Sequence, residues 1–140
     1  MPENRRIVIA EDDSDDRLLL ETAFKETGLE TELVFAQNGV DLLRLLTEKE
    51  PSLYPRVIIM DLNMPKKDGR ESLKELKQHP TLKRIPVIVF TTTKNEAEIS
   101  RCYELGANSY VVKPDSYSDL LKVVNQLKSY WFETASVAAR

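Results

Sequence analysis

The sequence predicts an α/β fold built on a doubly wound sheet of five parallel strands. Five short apolar runs carry that prediction: Ile7–Ala10, Leu33–Ala36, Val57–Met60, Val87–Phe90 and Tyr110–Val112. Four of the five are rich in β-branched residues, and polar or turn residues bound them all. That is the pattern of strands buried in a parallel sheet. The second observation is what lies between them. Each gap holds a longer segment with helical spacing of apolar residues, and strict strand–helix alternation requires right-handed crossovers.

The helices follow in order. Ser14 is suited to cap the first, with Leu18, Leu19, Ala23 and Phe24 as its apolar stripe and Gly28 at its end. The second spans about Val40 to Lys49, with Leu42, Leu43, Leu45 and Leu46. The third starts after Asp68-Gly69 and carries Leu73 and Leu76. The fourth runs from Asn95 to Leu105, closed by Gly106. The fifth runs from Ser118 to Trp131. No repeat, low-complexity segment or linker interrupts the series, and Ala135 to Arg140 read as loose.

A chain of 140 residues suits one domain, 1–140, with a core over about 5–132 and a tail over 133–140. This size buries a core without disulfides or structural metal. Hydrophobic residues make up 41% and charged residues 31%, an ordinary globular mix. The net charge of −3 gives no reason to expect nucleic acid as a direct partner. The single cysteine, Cys102, has no internal partner, which fits a reducing cytoplasm. No apolar run reaches membrane-spanning length, and the N-terminal stretch does not read as a signal peptide.

Function is written at the strand ends. The first strand runs into Glu11-Asp12, the third into Asp61, the fourth into Thr91-Thr92 and the fifth into Lys113-Pro114. Ligands of open parallel sheets bind at the carboxyl ends of the strands. Four strands therefore deliver three carboxylates, a hydroxyl and an ammonium to one edge. Carboxylates crowded this way either rise in pKa or bind a cation, and hard oxygen ligands favour Mg²⁺. A carboxylate can attack phosphorus to form an acyl phosphate. The transferring group then needs a cation and hydrogen-bond donors aimed at its oxygens. Lys113 and Thr91 are of those kinds.

The segments IVIAED (7–12), DLNMPKKDG (61–69), PVIVFTT (86–92) and GANSYVVKP (106–114) resemble those of bacterial response-regulator receiver domains, in the same order and spacing. The resemblance covers essentially the whole chain. It implies a flavodoxin-like, CheY-like fold with strand order 2-1-3-4-5. It implies Asp61 as phosphoacceptor and Mg²⁺ held by Asp12, Asp61 and the Asn63 carbonyl, with Glu11 acting mostly through water. Lys113 is expected to contact the phosphoryl group, across a cis bond to Pro114. Thr91 and Tyr110 are the expected switch residues, and Asn63 and Thr93 sit where the family tunes dephosphorylation. Such a protein is a signalling phosphoacceptor rather than a true enzyme, charged by a sensor histidine kinase and losing the phosphoryl group by slow self-catalysed hydrolysis. DLNMPKKDGRE, LKRIPV, TTTKNE and SYWFETA further resemble the cyanobacterial phytochrome-associated regulators, whose kinases sense light. Their similar tails are found in dimers, which makes self-association through the fourth helix, fifth strand, fifth helix and tail the expectation here.

Two residues depart from many relatives: Asp115 after the Lys-Pro pair, and Thr92 where a smaller residue is common. The bulk of Thr92 is expected to shield the phosphoaspartate. Other polar residues read more plainly. Asp13, Asp15 and Asp16 read as solvated residues at a helix start. His79 reads as a charge at a helix C-terminus, Cys102 as packing, and Lys66-Lys67 first as solvated and second as an aid to partner docking. Tyr130-Trp131-Phe132 suits either a core cap or a dimer patch. A haloacid-dehalogenase-type phosphatase is disfavoured because Asp61-Leu62-Asn63 lacks the second acid. An interaction module without phosphorylation is disfavoured because every expected site position is filled. Flavin binding is disfavoured by Glu11-Asp12-Asp13, where a phosphate cradle would sit. The 26 positions after Pro114 leave no room for a DNA-binding domain, so signalling is expected to pass through protein contacts.

Overall fold

Parallel pairing joins β1 (Arg6–Ala10) to both β2 (Glu32–Ala36) and β3 (Val57–Met60). β4 (Val87–Thr91) and β5 (Ser109–Val112) complete a sheet of order β2-β1-β3-β4-β5. This is the expected 2-1-3-4-5 order. The computed structural model describes residues 5–48, 50 and 53–138. The helices are α1 (Ser14–Glu26), α2 (Gly39–Thr47), α3 (Gly69–Gln78), α4 (Glu96–Glu104) and α5 (Tyr117–Lys128). The expected end of the second helix at Lys49 lies outside the described residues.

Two cores flank the sheet because its strands alternate their side chains between faces. Val8, Ile58, Met60, Val87 and Val89 pack with α2 and α3 through Leu42, Leu46, Leu73 and Leu76. Ile7, Ile9, Ile59, Ile88 and Phe90 pack with α1 and α5 through Leu20, Phe24, Leu120 and Val124. The central strands β1, β3 and β4 are nearly or wholly buried. The expectation of burial is too strong for β2 and β5. Both lie at sheet edges and are mostly half-buried, since each has a neighbour on one side only.

Several local expectations need correction. The cap of α1 is Asp13, not Ser14: its carboxylate accepts from the backbone N–H of Asp15 at 2.8 Å and Asp16 at 3.1 Å. The inward stripe of α1 is Leu20, Ala23 and Phe24, while Leu18 and Leu19 are exposed. The helix is rotated so that Asp16, four residues before Leu20, tops that stripe. His79 stands at the C-cap of α3, as expected, and its Nδ1 also accepts from the N–H of Thr81 and Leu82 at the start of the short 3₁₀ turn Leu82–Arg84. The turn itself had no signal in the periodicity. Lys67 is paired with Glu75, and its carbonyl accepts from Gly39 N–H, so it is a loop anchor rather than a solvated cation.

The chain after α5 winds into a π-helical turn over Ser129–Thr134. Phe132 is buried and caps the second core. Arg56 donates to the Trp131 carbonyl at 2.6 Å and the Ala135 carbonyl at 3.2 Å, and its guanidinium lies 5.5 Å from the Phe132 ring centre. Ala135 is therefore tied down, against the expectation of a loose segment starting there. Residues 139–140 of that segment lie outside the described residues.

Candidate functional site

Three strands, β1, β3 and β5, pass a ladder bond on to the site residue that follows them. Glu11 N–H donates to the Ala36 carbonyl, Asp61 N–H to Ala10, and Lys113 N–H to Thr91. The backbone positions of these residues are thus set by the sheet itself. Gly69 allows the chain to return close beneath Asp61. A Cβ there would stand 2.5 Å from the Asp61 carbonyl oxygen and 2.6 Å from Leu62 Cα.

Lys113 Nζ is the hub. It donates to Glu11 Oε1 at 2.6 Å, Asp16 Oδ2 at 2.8 Å and Asp61 Oδ2 at 2.9 Å. Glu11 and Asp61 are buried, and Asp61 Oδ1 also accepts from Asn63 N–H at 3.2 Å. Asp12 is exposed, and carboxylate oxygens of Glu11, Asp12 and Asp61 lie within 4.8 Å of one another. Three hard oxygen donors so spaced fit a small divalent cation such as Mg²⁺ or Mn²⁺.

The electrostatics follow from burial and crowding. Burial pushes the Glu11 carboxyl up to about 7, with the Asp61 charge adding to the rise and the Lys113 hydrogen bond opposing it. Burial alone would lower the Lys113 ammonium, but its bonds to Asp16, Glu11 and Asp61 outweigh this and raise it. Lys113 is accordingly a fixed cation.

Thr91 is fully buried, and its hydroxyl meets no hydrogen-bond partner among the described residues. An unpaired buried hydroxyl is costly unless it serves a ligand or an alternative state. Tyr110 is half-buried and donates its hydroxyl to the Thr93 carbonyl at 2.7 Å. Thr92 is exposed beside Lys113 and Pro114.

The structure thus brings Glu11, Asp12, Asp61 and Lys113 together, and Thr91 joins them through its backbone carbonyl, which accepts from Lys113 N–H. It corrects two readings. Asp16 is an ion-pair partner of Lys113, not a solvated cap residue. The readable signal was its place four residues before Leu20 on the inward stripe of α1. Among the described residues no peptide bond is cis, so Lys113-Pro114 is trans. Trans is the lower-energy form of an X–Pro bond, and Lys113 reaches its three carboxylates from it. Cys102 is buried in α4, and burial raises its thiol, which marks it as packing rather than chemistry.

Comparison with known proteins agrees with this geometry. Residues 7–125 match the response regulator receiver domain. The chain is 40% identical to the response regulator Rcp1 of Synechocystis sp. over 136 residues, covering 95% of this chain and 92% of that one. The crystal structure of the phosphorylated cyanobacterial phytochrome response regulator RcpA superposes with a TM-score of 0.89 at 35% identity, covering 98% of this chain and all of that one. The Mn²⁺-bound form of Rcp1 gives 0.87 at 39% identity, covering 96% of this chain and 99% of that one. The chain belongs to the response regulator receiver domain family.

Proposed function

We propose that this chain is a single-domain receiver of a two-component phosphorelay, with Asp61 as its phosphoacceptor. The observation that carries the reading is Lys113 Nζ held 2.9 Å from the buried Asp61 carboxylate, beside the Glu11–Asp12 pair. The donor is the phosphohistidine of a partner sensor kinase. The relatives named for phytochrome signalling favour a light-sensing kinase.

Asp12, Asp61 and the Asn63 carbonyl would hold Mg²⁺, with Glu11 acting mostly through water. When bound, the metal neutralises charge on the phosphoryl oxygens. The chain's own groups do the rest. Asp61 supplies the attacking oxygen, Lys113 donates to a phosphoryl oxygen, and the Thr91 hydroxyl, buried without a partner, gains one. Movement of Thr91 is relayed to Tyr110, which is tied to the loop after β4 through Thr93. The surface of α4, β5 and α5 then changes its affinity for protein partners, a second copy of the chain among them. Asn63 and Thr93 tune a slow self-catalysed loss of the phosphoryl group. The protein acts in the cytoplasm through protein contacts, without touching nucleic acid or membrane itself.

Intact mass after incubation with acetyl phosphate and Mg²⁺ tests this. The wild type is expected to gain one phosphoryl group, and Asp61→Asn or a chelator to abolish the gain. No adduct on the wild type, with no beryllofluoride binding, would leave an interaction module without phosphorylation.

A further inference from the structure

We propose that Asp16, in the first turn of α1, occupies the third hydrogen of the Lys113 ammonium in the resting protein and yields it to a phosphoryl oxygen when Asp61 is modified. The inference rests on the reading of Asp61 and Lys113 above.

An ammonium has three N–H donors and no acceptor. Glu11, Asp16 and Asp61, at 2.6, 2.8 and 2.9 Å, engage all three. A phosphoryl oxygen can be met only if one acceptor gives way. The Glu11 side chain is 2% exposed, and unpairing it would strand a buried carboxylate. Asp61 Oδ2 keeps its bond to Lys113 when the other carboxylate oxygen, Oδ1, takes the phosphoryl group, so no hydrogen is freed there. The Asp16 side chain is 37% exposed, so water can take over its carboxylate. Asp16 is the acceptor released at least cost.

In the transfer, an Asp61 carboxylate oxygen bonds to phosphorus as the bond from phosphorus to the donor's leaving atom breaks, an imidazole nitrogen for phosphohistidine and a carboxylate oxygen for acetyl phosphate. The leaving group departs with that electron pair, and Lys113 keeps its proton. Asp16 touches none of the reacting atoms and is a positioning residue acting through Lys113. Its bond also spans α1 and the loop from β5 to α5, beside a cavity of about 200 Å³ lined by Asp16, Leu19, Pro114 and Asp115. Phosphorylation therefore unties α1 from that loop.

The test is the rate of Asp61 modification by acetyl phosphate and Mg²⁺, followed by intact mass. Asp16→Asn is expected to react about five-fold faster than wild type, the scale of a partly exposed ion pair. Asp16→Glu restores the wild-type rate, and Asp15→Asn, which removes a neighbouring charge without touching Lys113, leaves it unchanged. In a Lys113→Met background, Asp16→Asn has no effect. In the metal-free protein labelled with ¹⁵N-lysine, Asp16→Asn shifts the Lys113 ammonium resonance and Asp15→Asn does not. A slower or unchanged Asp16→Asn, in a wild type that is modified on Asp61, overturns this inference alone. Equal acceleration in the Lys113→Met background also overturns it, since the effect would then be general charge. A wild type that takes up no phosphoryl group overturns the underlying reading and this inference with it.

Discussion

Glu11 shows how burial and function conflict in one side chain. Its carboxyl lies at about 7 instead of 4.5, first because it is buried. Between those values the folded chain binds more protons at this site than the unfolded chain. The stability of the metal-free protein should therefore fall as pH rises through that window and level off above it. Thermal unfolding from about pH 5 to about pH 8 checks this, with Glu11→Gln expected to lose that part of the slope. Metal binding requires the carboxylate, so Mg²⁺ affinity should rise across the same window, and the rise should flatten in Glu11→Gln. Thr92 belongs to the same scale. It is exposed beside Lys113, and the expectation from its bulk is that it screens a phosphorylated Asp61 from water. Thr92→Ala should shorten the acyl-phosphate lifetime several-fold, as read by decay of the phosphorylated mass; an unchanged lifetime would sink the idea.

At the scale of elements, the loop from β3 to α3 is a tight joint. Asp68 caps α3 by accepting from Glu71 N–H at 3.1 Å, and Gly69 donates to the Leu62 carbonyl at 2.8 Å. Gly69→Ala must push Asp61 or α3 aside, so it should cost about 1–3 kcal/mol, the usual range for overpacking. Asp68→Ala loses only a cap and should cost about 1 kcal/mol. Urea melts of the two variants check the order. Phosphorylation should slow in Gly69→Ala, because the shift falls on the acceptor's own backbone. The start of α3 was readable from the Asp-Gly pair, and the boundaries of α4 from Asn95 and Gly106. The face of α1 was not. Leu18-Leu19-Leu20 offers three adjacent leucines, and only packing against β1, β3 and α5 selects Leu20.

At the scale of the molecule, an aromatic end is built onto a closed fold. Phe132 is buried, Tyr130 is exposed, and Tyr130 and Trp131 meet edge to face at 5.0 Å. Arg56 grips this turn through two carbonyls, which keeps the exposed aromatic in a defined place next to α5. If the surface of α4, β5, α5 and this turn joins two copies, light scattering should report a dimer that strengthens with beryllofluoride and weakens in Tyr130→Ala. A monomer under both conditions would refute that assembly.

The sequence by itself determined the sheet and the list of chemical groups at its edge. Strand runs are local, their apolar pattern states their burial, and the residue following each strand must emerge at the carboxyl edge. Glu11, Asp61, Thr91 and Lys113 were legible for that reason. Tertiary structure alone decided how those groups pair. The rotation of α1 brings Asp16 to Lys113, which lies 97 positions away in the chain. Packing depth sets the Glu11 carboxyl near neutrality. Each of these depends on the distance between elements remote in sequence, and no local pattern encodes that distance.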